Sequence, residues 1–188
     1  MSKRIPLPKL ESLPQDIREI VEAHPLNVVY MFANAPASFK SLVALAGDIL
    51  FKYEFDPRKR EIAVLRTAHL TGNLYEFTHH NALSKSYGVT DEQINTIKTE
   101  DPVLSLGDED NLLCRVADEI SRNVRLSDEA CAEILSRYGV RGATELIMSV
   151  SYYNFLGRFL ASTGCELEDA SVLSEFHKDP QSVIRSDD

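Results

Sequence analysis

A chain of 188 residues, 44% apolar and 26% charged, has the make-up of one soluble globular domain, able to bury roughly 70% of its unfolded surface. Its formal net charge of −9 argues against nucleic acid or an anionic membrane as partner, since both call for a basic patch, and no apolar run approaches the roughly 20 residues that span a bilayer. The three cysteines, Cys114, Cys131 and Cys165, fit neither a disulfide framework nor a zinc pattern, and the opening Met1-Ser2-Lys3-Arg4 leads into prolines rather than an apolar core, so no secretory signal and a cytoplasmic setting are expected.

Residues 1–13, with Pro6 and Pro8 among Leu7, Leu10 and Leu13, predict an extended arm lying on the domain surface or on a neighbouring subunit. Pro14 to about Ala23 predicts a short helix with Ile17, Ile20 and Val21 apolar, ended ahead of Pro25. Asn27–Asn34 is a brief apolar helix. Pro36 opens a longer one to about Tyr53, striped by Phe39, Leu42, Val43, Ala46, Ile49 and Leu50. Asp56 is an N-cap and Pro57 suits the first helical position, where an amide hydrogen would have no partner. The helix that follows breaks at Thr71-Gly72-Asn73, and a second runs from Tyr75 to Tyr87-Gly88. The glycines stand where a helix end favours positive φ. Residues 57–88 thus predict a central helical hairpin.

Further on, Thr90-Asp91-Glu92-Gln93 is a capping box that opens a helix to about Lys98, before an acidic loop over 99–107. Asp108–Asn123 is the next helix, and Ser127 caps another to about Tyr138, ended by Gly139. Val140 to about Thr163 is the longest. It carries apolar or aromatic residues at 146, 147, 150, 152, 153, 155, 156, 159 and 160, a face wider than one core stripe requires. From Glu166 the chain turns acidic and polar, and 179–188 is expected to be a flexible tail. No strand alternation, repeat or linker appears. The expectation is an all-α single domain of about eight helices over 14–178.

The hairpin also holds the densest chemistry. Glu76 and His80 are four apart and share one helix face, while Glu61 shares a stripe with Leu65, Ala68 and His69 on the preceding helix. On spacing alone Glu76 and His80 equally suit an exposed pair worth a few tenths of a kcal/mol, and Glu61 suits a first-turn acid at its helix N-terminus. His79 points about 100° from His80 and is expected at the surface or an interface. That divergence also speaks against a metal site built from Glu61, Glu76, His79 and His80. His69 is expected on a semi-buried face.

Arg60-Glu61-Ile62-Ala63-Val64-Leu65-Arg66, then Leu70-Thr71-Gly72, Tyr75-Glu76-Phe77 with His80, and Gly88-Val89-Thr90 resemble the carboxymuconolactone decarboxylase family. That group includes the alkylhydroperoxidase proteins of AhpD-like fold. The match is close over about thirty residues, with Phe77 in the place of the family's usual Trp. In the peroxidase branch a Cys-x-x-Cys begins the second helix, flanked by an upstream Glu and a downstream His. Glu61 and His80 hold the places of that Glu and His here, and Asn73 and Glu76 hold those of the two cysteines. Thiolate attack is the chemistry of such sites, so a thiol peroxidase is disfavoured. The decarboxylase branch has a Glu four residues before its His, as in Glu76 and His80.

The resemblance therefore implies an AhpD-like helical bundle and a cofactor-free, decarboxylase-like lyase or isomerase acting on a small carboxylated or lactone-like molecule. His80, Glu76 and Glu61 are its expected catalytic residues, because a carboxylate beside an imidazole raises the histidine pKa and fixes its ring. Tyr75, Arg66 and Asn73 are the expected substrate contacts, with a structural ion pair the favoured role for Arg66. Two alternatives stand beside it: a divergent peroxide-reducing enzyme, and a non-catalytic ligand-binding protein of the same fold. Family resemblance and the wide apolar face of 140–163 both predict a homo-oligomer, whether dimer, trimer or hexamer.

Overall fold

In the computed structural model, residues 4–180 are described. The expected tail beyond 180 and the first three residues of the arm lie outside them. The described residues hold nine α-helices and no strand: α1 Gln15–Ala23, α2 Asn27–Phe32, α3 Pro36–Gly47, α4 Pro57–Leu70, α5 Leu74–Ser86, α6 Asp91–Thr99, α7 Asp108–Asn123, α8 Asp128–Thr163 and α9 Ala170–Lys178. None of them is long and apolar enough to cross a membrane. The described residues fall into two compact units, one of residues 4–52 with 160–180 and one of Tyr53–Phe159.

In the first unit Ile17, Val21, Val29, Met31, Phe32, Phe39 and Ile49 are buried. The last turn of the helix expected over 36–53 opens into a π turn at Asp48–Lys52. The arm is held by its own chain: the amides of Arg4 and Ile5 donate to the Thr163 carbonyl at 3.2 and 2.9 Å, and Asn34 Nδ2 donates to the Pro6 carbonyl at 3.0 Å. Helix α9 corrects the reading of the stretch after Glu166 as merely polar. Val172, Leu173 and Phe176 form a short apolar stripe there, with Phe176 buried.

The second unit is organised around α4. Every residue from Arg60 to Ala68 is buried, so this helix is enclosed on all sides. Ile62, Ala63 and Leu65 pack into a core with Ile94, Ile97, Leu112, Leu113, Val116, Ile134, Leu146 and Val150. Its ends form as the sequence predicts, with Lys59 N donating to Asp56 Oδ1 at 3.1 Å and Gly72 turning the chain at φ 63°. The capping box at Thr90 and Gln93 is present, and Ser127 Oγ accepts from the Ala130 amide at 3.2 Å. Within α8, Gly139 leaves helical geometry at φ 66° and ψ −179°, so the break expected there is a bend between two helical stretches. A helix buried all round cannot leave polar groups idle. Arg60, Glu61 and Arg66 therefore need partners, and those partners define the rest of the unit.

Candidate functional site

Three helices build the site: α4 brings Arg60 and Glu61, α5 brings Glu76 and His80, and α8 brings Tyr152 and Tyr153. Their relative placement is set at the hairpin turn. Asn73 Oδ1 accepts from the Glu76 amide at 3.2 Å and caps α5, while its Nδ2 donates to the Gly157 carbonyl of α8 at 3.1 Å. Thr71 lies against the same glycine, where an added Cβ would come within 2.7 Å of Thr71 Oγ1. The turn and the long helix meet at that point because no side chain separates them.

His80 sits between two carboxylates. Its Nδ1 donates to Glu61 Oε2 at 2.6 Å, and its Nε2 stands 3.5 Å from Glu76 Oε2. The other oxygen of Glu61 accepts from Arg60 Nε at 3.2 Å, with Arg60 Nη2 at 3.1 Å. The Arg60 guanidinium also faces the Tyr87 ring, 5.8 Å from its centroid. The Tyr153 ring stands edge-on to His80 at 4.6 Å and 82°, and Tyr152 stands edge-on to Tyr153 at 5.4 Å. Glu61, Glu76, His80, Arg60, Tyr152 and Tyr153 are all buried. The exposed i,i+4 pair allowed by spacing alone is thereby replaced by an enclosed row of carboxylate, imidazole and carboxylate.

The electrostatics follow from that enclosure. Burial by itself pulls the His80 pKa down, but the charge and hydrogen bond of Glu61, joined by Glu76, outweigh it and raise the value from 6.5 to about 9. Burial pushes Glu61 up, yet His80 and Arg60 hold it below the ordinary carboxylate value. Burial and the two glutamates keep Tyr153 well above the usual phenol value. At neutral pH the row therefore pairs two cations, His80 and Arg60, with two carboxylates. Removing the His80 proton would leave it with a buried excess of negative charge.

The other residues singled out from the sequence have structural employment. Arg66 has five N–H groups and makes five bonds: Nε and Nη2 to Asp118 at 2.7 and 3.2 Å, Nη1 to the Ile97 and Glu100 carbonyls at 2.8 Å each, and Nη2 to Asp101 at 3.2 Å. None is left over in this arrangement, and the ion-pair role is the one these bonds serve. Asn73 is likewise committed through both its side-chain oxygen and its nitrogen. Tyr75 stacks on His79 at 4.3 Å, on the side of α5 away from His80. His79 is buried rather than at the surface, its Nδ1 donating to the Tyr75 carbonyl at 2.8 Å, and His69 is exposed rather than semi-buried. Among the described residues, no three His, Cys, Asp or Glu side chains are grouped so as to hold a metal ion. Sequence reasoning missed Arg60, Tyr152 and Tyr153. The Tyr-Tyr doublet was legible only as part of an apolar stripe, and Arg60 only as a neighbour of Glu61.

Residues 36–118 match the carboxymuconolactone decarboxylase family, a stretch that contains the whole hairpin. The resemblance carried by Arg60–Arg66, Tyr75–Phe77 and His80 is thus shown for that stretch. Among solved structures, the chain is similar to the alkylhydroperoxidase AhpD core of an uncharacterised peroxidase-related protein from Ralstonia eutropha JMP134. The TM-score is 0.73 and the identity 19%, over 88% of this chain and 92% of that one. It is also similar to an uncharacterised peroxidase-related protein from Silicibacter sp. TM1040, with a TM-score of 0.75 and 14% identity, over 93% and 94% of the two chains. No curated protein matches. The fold of the chain is the all-α, AhpD-like one.

Proposed function

We propose that the chain is a cofactor-free enzyme of the lyase or isomerase kind, moving protons on a small carboxylated or lactone-like molecule. The observation that carries this reading is the buried row of Glu61, His80 and Glu76, with a histidine pKa of about 9. An imidazole that keeps its proton at neutral pH is an acid rather than a base. His80 Nε2 is therefore the proton donor, and Glu76 is the base. Glu61, locked between His80 and Arg60, orients and charges the imidazole without touching substrate.

In an isomerisation, Glu76 takes a proton from the carbon next to a carbonyl. The C–H electron pair moves into a carbon–carbon double bond, and the carbonyl π pair moves to oxygen. Where a β,γ double bond conjugates with that enolate, His80 then protonates the γ carbon, the oxygen pair returns to re-form the carbonyl and leaves an α,β double bond, and the proton held by Glu76 crosses to His80 over their 3.5 Å contact. In a decarboxylation, the pair left by departing carbon dioxide follows the same path, and His80 protonates the carbon. A thiol peroxidase finds little support here. Asn73 and Glu76 stand in the cysteine places, and burial pushes the Cys114 thiol up to about 12, far from a reactive thiolate.

Deuterium uptake tests the reading. The intact protein in D2O is given α-angelica lactone and acetoacetate, and carbon-bound exchange and product are followed by proton NMR. Uptake above the buffer rate is expected from wild type. Its absence for every member of a panel of small lactones and oxo acids refutes the acid–base function.

A cytoplasmic homo-oligomer is part of the same proposal, but the breadth of the α8 face is no longer its support. Leu146, Val150, Tyr152, Tyr153, Leu156 and Leu160 are buried in the chain itself. What remains outward is one ridge, with Val140 75%, Met148 44% and Phe155 43% exposed, at helical spacing on one face of α8. A dimer, trimer or hexamer burying that ridge gives a light-scattering mass of several times 21.1 kDa. A stable mass of one chain at micromolar concentration refutes it.

A further inference from the structure

We infer that Tyr152 is a substrate-binding residue, its hydroxyl donating a hydrogen bond to the carbonyl oxygen of the molecule on which Glu76 and His80 act; this rests on the acid–base reading above. Tyr152 is only 7% exposed, and its hydroxyl oxygen is sealed from solvent with no hydrogen-bond partner among the described residues. A buried phenol without a partner is costly, and tyrosines placed in such surroundings ordinarily find one. The residue stands one position from Tyr153, which packs against His80, and the two tyrosine rings meet edge to face. The charge of Glu76 reaches the phenol and, after burial, is the second influence holding its proton on. The hydroxyl therefore stays a donor at neutral pH, within the electrostatic reach of the carboxylate assigned as base.

The acceptor it fits is an oxygen that gains negative charge while Glu76 removes a proton nearby. When Glu76 takes the carbon-bound proton, the carbonyl π pair settles on oxygen, and a phenol O–H aimed there strengthens its hydrogen bond as that charge grows. The same geometry serves the enolate left by loss of carbon dioxide. Tyr153 does not compete for the role, because it presents its ring to His80. Of the two neighbouring tyrosines, one supports the imidazole and the other keeps its polar end for a ligand. The ligand class is thus a small carbonyl compound, lactone or oxo acid, with the oxygen directed toward α8.

Tyr152→Phe removes the hydroxyl and keeps the ring. An unbonded buried hydroxyl costs the free protein stability, so the variant should unfold at the same or a higher temperature than wild type. α-Angelica lactone serves as the probe, its binding followed by the ring-proton NMR signals of His80. The variant should bind it about tenfold to a hundredfold more weakly, the loss expected for one hydrogen bond to a charged or polarised acceptor, with the His80 titration unmoved. A lower unfolding temperature would show that the hydroxyl is bonded within the protein, and it would overturn the inference. Equal affinity of wild type and variant overturns it too. If affinity is equal while His80→Asn still abolishes deuterium uptake, Tyr152 loses its role and the acid–base function stands. If wild type neither binds nor exchanges α-angelica lactone or any other member of the panel of small lactones and oxo acids, both fall.

Discussion

Two buried ionic clusters begin on α4, five residues apart, and their difference shows how a site is told from a scaffold. Around Arg66, every N–H of the guanidinium has an acceptor at 3.2 Å or less. Around Glu61, the row ends loosely: His80 approaches Glu76 only to 3.5 Å, the histidine pKa is displaced to about 9, and the Tyr152 hydroxyl beyond has no partner among the described residues. Burial of charge is common to both. Unspent bonding capacity next to a displaced pKa belongs to one alone, and it is that combination on which the proposed chemistry rests. A cluster with nothing left to give belongs to the fold.

The largest test of that distinction falls on the scaffold. Arg66→Ala strands the Asp118 carboxylate and two backbone carbonyls, and the expected cost is about 3–5 kcal/mol of unfolding free energy, measured by urea titration. A loss under about 1 kcal/mol would mean that the cluster is solvated and not a structural anchor.

Next in size is the pH dependence of the other cluster. The His80 pKa is raised in the folded state, from 6.5 to about 9, so the native protein holds that proton where the unfolded chain has released it. Its contribution is fully present below pH 6.5, declines as pH rises toward 9 and is gone above it, on the order of 3 kcal/mol. Glu61 has the opposite sign. Its pKa is lowered, so its contribution is present above the ordinary carboxylate value and is lost as pH falls through the depressed one. Urea midpoints at pH 6 and pH 9.5 check the histidine arm. A His80→Asn variant with the same drop between those two values would assign the titration elsewhere.

His80→Asn should lower deuterium uptake about a hundredfold or more, the usual contribution of a positioned acid or base. It should also cost about 1–3 kcal/mol of stability, since Glu61 keeps Arg60 as partner but loses its shorter hydrogen bond. Undiminished uptake would remove the imidazole from the mechanism. The smallest effect belongs to the cysteines. Cys114→Ala truncates a buried side chain and should cost about 1 kcal/mol, leaving uptake within a factor of two of wild type, roughly the spread of a neutral change. Abolished uptake in a stably folded Cys114→Ala protein would restore a thiol to the chemistry.

What the sequence revealed and concealed follows the range of the interactions involved. Caps at Asp56, Thr90 and Ser127 and the turn at Gly72 are local, and each was readable from a few neighbouring residues. That Glu61 meets His80 is a contact across nineteen positions; spacing left it open, and only the resemblance of the hairpin pointed to it. His79 and His69 went astray for one reason. One helix does not reveal which of its faces others cover, so a histidine expected outside was enclosed and one expected half-covered stood in solvent. Tyr152 and Tyr153 read in the sequence only as apolar positions, because such a pattern weighs rings and ignores hydroxyls. Helix α9 is hard to read in the sequence because three apolar residues among acids make a weak period.

The close approach at Gly157 has a consequence for how this site could be lost. Asn73 is tied to the Gly157 carbonyl, and Thr71 occupies the space a side chain there would claim. Together they fix the rotational phase of α5, and so decide which of its residues is delivered to Glu61. A slip of one position turns the helix by about 100°, which would carry His80 away and bring a neighbour round in its place. Gly157→Ala, far along the chain from any acid or base, is therefore expected to abolish the proposed deuterium uptake with Glu61, Glu76 and His80 all in place, as a key fails when only its shoulder is filed.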